Sequence, residues 1–259
     1  MELLLLRVAL APSLVLLASV VARRLGPRRG GQLLGAPTTT GPFLALTWLA
    51  SGPERAASAA HGTVTGTLVV ACFCLAHARL APTRPPGRTL ALALLCAAGA
   101  GLVGAGLDEV RLSAALTSAV IVAGLLTWPA TGADHRQPTA ARGWEIPVRM
   151  ALSGVTVAGA LAAAAALGPF VGGVLSALPV LLSIMGTSVH RTAGAPAAAE
   201  LMRGALTSAA GTLGFQLVLC FAPVPLGPAA AFALALTALL TGDRLLRLGL
   251  PRSAAARPA

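Results

Sequence analysis

Apolar residues run in stretches of about twenty along nearly the whole chain, and charges, prolines and glycines gather between the stretches. Runs bounded in this way predict nine helical segments, at about 3–22, 31–50, 58–78, 89–107, 112–129, 146–167, 171–189, 199–221 and 226–243. A helix of 18 or more apolar residues matches the roughly 30 Å hydrocarbon core of a bilayer. The expected fold class is therefore all-α, a polytopic helical membrane protein. The first run, Leu3 to Ala22, lacks a basic leading region and is followed by Arg23 and Arg24, so it reads as a retained span and not as a cleaved signal peptide.

An internal repeat organises these segments. The string Leu25-Gly26-Pro27, Gly30-Gly31, Leu33, Pro37 recurs without gaps as Leu167-Gly168-Pro169, Gly172-Gly173, Leu175, Pro179, at an offset of 142 residues. At the same offset Arg7 meets Arg149, Gly52 meets Gly194, Gly62 meets Gly204, Thr65 meets Thr207 and Phe73 meets Phe215. Similarity between Ala/Leu-rich helices does not account for seven identities in thirteen positions that include Gly and Pro, so the chain reads as a duplication. The expected organisation is a first four-segment repeat (1–107), a linker span with a following loop (108–142), a second four-segment repeat (143–245) and a basic tail (246–259). The stretch Pro129 to Trp144 is the expected hinge.

Five segments separate equivalent points of the two copies. If all five cross the bilayer, the second copy is upside down relative to the first, the inverted-topology repeat of many secondary transporters. The second and seventh segments are broken by Gly35, Pro37, Gly41 and Pro42 and by Gly172, Gly173 and Pro179, and either crossing or re-entry fits that composition. Arginine placement favours crossing. With nine crossings, fourteen arginines collect on one side and only Arg55 and Arg111 on the other; with re-entrant second and seventh segments the division is eleven against five. Basic loops stay in the cytoplasm. The expected location is the bacterial inner membrane, with the N-terminus outside and the C-terminus cytoplasmic.

Composition agrees and removes several alternatives. Hydrophobic residues make up 56% of the 259 positions and charged residues 10%, which excludes a cytosolic enzyme or a secreted domain. The net charge of +11 comes from arginines in short loops beside apolar runs, so no nucleic-acid partner is implied. The absence of Lys, Asn and Tyr beside abundant Ala, Gly, Pro and Arg reads as a GC-rich genome. Cys72, Cys74, Cys96 and Cys220 all lie in apolar segments without metal-ligand spacing, so neither a disulfide nor a metal is expected. No cofactor motif is present.

Chemistry is expected at the breaks. Gly35-Ala36-Pro37-Thr38-Thr39-Thr40-Gly41-Pro42 falls near the middle of a span, and its prolines leave carbonyls near Gly35 and Thr38 without amide partners. Unpaired backbone at membrane depth is tolerated only inside protein or along a polar cavity. The hydroxyls of Thr38, Thr39 and Thr40 either satisfy that backbone or contact a solute, with the next half-helix offering its amide end. The corresponding stretch of the second half carries Ser183, Gly186, Thr187 and Ser188. The expected solute-binding set is Thr38, Thr39, Thr40, Gly41, Ser183, Thr187 and Ser188, with Arg7 and Arg149 steering an anionic solute from the two membrane faces or snorkelling to the interface. Gly62, Gly66, Gly204 and Ser208 read as close-packing positions, Glu200 and Arg203 as a local helix pair, and His77 and His190 as interfacial. Gln216, Trp48 and Trp128 fit interhelical contacts or interface anchoring. All eight acidic residues lie in loops or at segment ends, which disfavours a proton-coupled drug exporter.

The blocks Gly30 to Pro42 and Gly172 to His190, with spaced Gly and Pro and polar residues after the proline, resemble the small GlpM-like bacterial membrane proteins. The resemblance is confined to those blocks. It implies that a half-sized ancestor of about four spans was duplicated and fused through the fifth span, and it carries over no catalytic or binding residue. The leading expectation is a transporter or permease for a small anionic solute, with the lipid bilayer as its other partner. The alternatives are a non-transporting membrane scaffold or accessory subunit and, without a motif behind it, an intramembrane lipid-modifying enzyme. Oligomeric state is not legible.

Overall fold

The computed structural model describes residues 27–129, 145–221 and 226–249. Every element among the described residues is an α-helix: α1 (Pro27–Gly35), α2 (Thr40–Ser51), α3 (Pro53–Leu80), α4 (Pro86–Ala105), α5 (Val110–Leu126), α6 (Glu145–Leu167), α7 (Pro169–Ser176), α8 (Val180–Phe221) and α9 (Pro228–Gly249). Gly194, at φ 86 and ψ 174, divides α8 into a first arm, 180–193, and a second, 195–221. The helices follow the predicted runs, and two runs divide: 31–50 becomes α1 and α2, and 171–189 becomes α7 and the first arm of α8. The run 3–22, residues 130–144 of the expected hinge and residues 250–259 of the basic tail lie outside the described residues, and the first part of that tail, 246–249, continues α9.

Among the described residues four helical stretches are long and apolar enough to cross a membrane: Pro53–Leu80, Pro86–Ala105, Met150–Leu167 and the interrupted run Pro169–Phe221. Large apolar side chains face outward on α4, among them Leu95 at 68% and Leu102 at 78% exposure. Such faces are at home in lipid and not in water. Of the most apolar part of α3, 78% is buried, against 22% for α4, so α3 is central and α4 peripheral.

Helix bounds repeat with the sequence. Proline opens α3, α4 and α7, where its missing amide costs nothing, and α4 and α9 begin at Pro86 and Pro228, 142 residues apart. Gly52, before α3, has φ 86 and ψ 173, nearly the torsions of Gly194 before the second arm. That region of backbone is open essentially to glycine alone, so the chain turns in the same way with the same residue at positions 52 and 194.

The halves pack by exchange. A Cβ on Gly204 would strike the Arg28 carbonyl, and a Cβ on Gly62 would strike the Phe170 carbonyl; a Cβ on Gly31 would strike Leu201, and one on Gly173 would strike Ala59. Each contact becomes its counterpart when 142 is added to one residue and subtracted from the other. The short helix of each half therefore seats against the long helix of the other, as in an isologous interface, and glycine permits the approach.

Two clusters fix the direction of the long helices. Phe73, Cys74 and Ala78 near the end of α3 pack with Leu201, Met202 and Leu206 near the start of the second arm. Ala56, Ala59 and Ala60 near the start of α3 pack with Phe215 and Leu219 near the end of that arm. The two helices thus run antiparallel. Leu34 of α1 joins the first cluster and Phe43, Leu44 and Trp48 of α2 the second, so the broken α1–α2 segment extends from one end of α3 to the other, with its break beside the middle.

Candidate functional site

The two breaks meet. Thr39 donates its hydroxyl to the Ser176 carbonyl at 3.0 Å, and Thr212 donates to the Gly35 carbonyl at 2.8 Å. Each interrupted helix end in one half is thereby closed by a threonine from the other half. One of the two expected roles for Thr38 to Thr40 was to satisfy the freed carbonyl near Gly35; Thr212, from the second arm of α8, does so instead. Within the first break, the Thr38 amide donates to Ala36 at 2.7 Å and the Gly41 amide to Pro37 at 2.9 Å. The buried backbone is thus largely paired, as its position requires.

A cavity of about 60 Å³ lies between the breaks. Thr38, Thr39 and Thr40 form one wall; Val180, Leu181 and Leu182, their counterparts at the repeat offset, form the opposite wall. Thr67 and Thr212 come from the long helices, facing the cavity with their own counterparts Ala209 and Val70. The site therefore straddles the relation between the halves while its polarity is concentrated in the first break. Thr67 lies near the centre of the 28-residue α3, which sets the cavity at mid-helix depth.

Gln216 is the principal residue of the site that the expected set did not contain. Its side chain is fully buried and its Oε1 lies 2.9 Å from the Thr67 hydroxyl, while its Nε2 has no partner. The Thr40 hydroxyl, on a residue 5% exposed, also has none. Both residues line the cavity. A buried polar group left unpaired costs about 1–3 kcal/mol, and two of them lie beside this cavity. The available signal was the rarity of amide side chains within apolar runs, and it marked Gln216 as polar without showing where it faces.

The other expected residues separate from this group. Gly41 is in the first turn of α2 and does not line the cavity. Ser183 donates to Pro179 at 2.7 Å and Thr187 to Ser183 at 2.7 Å, each bonding its own helix, and neither they nor Ser188 line the cavity. Residues 178–182, one turn earlier, occupy the place expected for them. Arg7 lies outside the described residues. Arg149 falls within α6, with its side chain outside what the structure describes.

Other polar groups lie away from the cavity. Glu200 is 3.7 Å from Arg203, the expected local pair, and 3.9 Å from Arg28 of the other half. His77, in the last turn of α3, is fully buried within the protein, its ring centroid 6.0 Å from that of His190, with neither of its ring nitrogens hydrogen-bonded. The first arm of α8, through Met185, Val189 and His190, covers that end of α3. All four cysteines are free, and among the described residues no three of His, Cys, Asp and Glu come together as metal ligands. Compared with known proteins, the chain matches no family model, no curated protein and no solved structure.

Proposed function

We propose that this chain is an integral membrane transporter or permease that binds a small solute in the cavity between its two broken segments. One observation carries the reading: two buried, unpartnered polar groups, on Thr40 and Gln216, facing a cavity at mid-helix depth where two helix breaks meet. Irregular backbone around a polar cavity at the repeat interface is the arrangement by which alternating-access transporters hold their substrates.

The proposed architecture is nine spans in two inverted repeats. It is supported by the exchanged glycine contacts and by the antiparallel course of α3 and the second arm of α8, which put a two-fold relation across the helix axes. The passage of α1–α2 along the length of α3 supports a crossing second segment over a re-entrant one. Charge supports the orientation. Arg28 beside Glu200, Arg79 bonded to Thr127 and exposed Arg191 sit toward the end of α3. Arg55 and Arg111 sit toward its start, where His61 meets Ser113. The arginine-rich end is assigned to the cytoplasm.

A non-transporting scaffold is the competing reading, favoured by the self-bonded hydroxyls of Ser183 and Thr187. Reconstitution separates the two. Liposomes holding the purified chain are expected to exchange at least one member of a panel of small anions, carboxylates, sugars and amino acids, and Thr39→Val is expected to abolish that exchange. Absence of flux across the panel, or full flux in the variant, overturns the transporter reading.

A further inference from the structure

Away from the cavity, buried ring nitrogens gather without partners at the end of α3. Neither ring nitrogen of the fully buried His77 is hydrogen-bonded, and the Nδ1 of His190 is also buried and unbonded. A neutral imidazole carries one donor and one acceptor, and each left unmade in the interior lowers stability. The two rings come from different helices, α3 and the first arm of α8, and their centroids are 6.0 Å apart. Gly186 gives them room. A Cβ built there would stand 3.3 Å from the Nε2 of His77 and would collide with the terminal methyl of Met202, itself fully buried. That nitrogen and that thioether arm therefore converge on one spot of the first arm of α8. His190 lies four residues further along the same face, and helical side chains lean back over the preceding turn, which brings its ring toward the same spot. The Ala81 carbonyl lies against the His190 ring, an acceptor for one ring N–H that leaves the other nitrogen its lone pair.

We propose that His77, His190 and the Met202 thioether form a binding site for a soft monovalent metal ion, copper(I), where the first arm of α8 covers the end of α3. Imidazole nitrogen and thioether sulfur are neutral, polarisable donors that suit copper(I), whereas magnesium and calcium take oxygen. Spacing narrows the choice. Two imidazoles on one ion, at about 2.0–2.1 Å each, have ring centres about 5 Å apart at a tetrahedral angle and about 6.3 Å apart in line. The observed 6.0 Å lies near the in-line end, which fits a two- or three-coordinate ion better than tetrahedral zinc. Among the described residues no third His, Cys, Asp or Glu joins the pair, in keeping with that low coordination number. With no carboxylate at the ion, and with exposed Arg79 and Arg191 adjoining the two histidines in the chain, one positive charge is tolerated better than two. Neither histidine lines the cavity, so the site does not rest on the transporter reading.

The test uses the purified full chain without a histidine tag, beside the same chain with its four free cysteines replaced so that no thiol holds the ion. Copper(I) is titrated anaerobically against a chromogenic chelator, with silver(I) as a redox-inert second probe. The expected result is one copper(I) per chain, kept in the cysteine-free chain, with nitrogen and sulfur ligands in X-ray absorption and a raised thermal midpoint. His77→Leu and His190→Leu are each expected to weaken binding by about a hundredfold or more, at or beyond the upper end of what outer-sphere changes cause. Gly186→Ala keeps both rings but wedges a methyl against Met202 and is expected to weaken binding as well, while Met202→Leu removes the sulfur signal. Thermal unfolding of each variant without metal reports whether it has folded. No copper retained by the native chain, equal retention in both folded histidine variants, or loss of binding in a cysteine-free chain that still folds, overturns the site. Zinc held through both histidines with copper(I) excluded overturns the assignment of the ion.

Discussion

Thr39 and Ser176, 137 residues apart, are joined by a hydroxyl-to-carbonyl hydrogen bond of 3.0 Å that closes the break of one half with a side chain from the other. A second bond, from the Thr212 hydroxyl to the Gly35 carbonyl, runs in the opposite direction at 2.8 Å. The two breaks are therefore mutually dependent, and disturbing either one disturbs the cavity between them.

Removing either brace should destabilise the bundle. Thr39→Val and Thr212→Val are each expected to cost about 1–2 kcal/mol, the range for a buried carbonyl left without its donor, tempered by the modest worth of such bonds in membranes. Unfolding in detergent at increasing SDS measures this. Losses below a few tenths of a kcal/mol in both variants would mean that water replaces the braces.

The exchanged packing predicts matched damage at matched positions. Gly62→Ala and Gly204→Ala each press a methyl into a backbone carbonyl, Phe170 or Arg28, and each is expected to destabilise by about 1–3 kcal/mol. Gly99→Ala meets open space and, as a helix-interior Gly→Ala change, is expected to be neutral or to stabilise by up to about 1 kcal/mol. The same unfolding assay compares them, and harm from Gly99→Ala equal to that from Gly62→Ala would sink the packing account.

Gly52 and Gly194 hold torsions closed to other residues. Alanine at either position is expected to cost about 1–3 kcal/mol of backbone strain, although a Cβ on Gly52 would meet nothing within 4 Å. A stability loss without a steric contact distinguishes conformational strain from crowding; an unchanged midpoint for Gly52→Ala would refute it.

Sidedness tests the topology. In a variant lacking the four native cysteines, Ser51→Cys at the exposed end of α2 should react with a membrane-impermeant thiol reagent on intact spheroplasts. Thr83→Cys, in the exposed loop after α3, should react only after lysis. The reverse pattern, Ser51→Cys reacting only after lysis and Thr83→Cys on intact spheroplasts, would make the second segment re-entrant.

His77 offers a stability test away from the site. Its buried ring has no hydrogen-bond partner on either nitrogen, so His77→Leu, which removes the orphaned polar atoms at similar volume, should leave the thermal midpoint unchanged or raise it. A fall of several degrees would reveal a partner that binds the ring.

Sequence alone determined the helical class, the offset of 142 and the two places where helices must break, because all of these follow from local chemistry. Apolar runs must bond their own backbone in lipid, proline lacks the amide, and glycine at 52 and 194 takes torsions that other residues avoid. Thr38, Thr39 and Thr40 were legible at the cavity for the same reason, since they sit in the break itself. Only tertiary structure decided which distant groups join them. Gln216 and Thr212 lie mid-helix with no local mark of direction, and their roles depend on how the second arm of α8 rotates against α3 and α1. Ser183 and Thr187 failed to join because a hydroxyl within a regular helix can bond the carbonyl four residues back, as theirs do. A periodic sequence records which residues are polar, and the packing of one half against the other sets which of them are left without a partner.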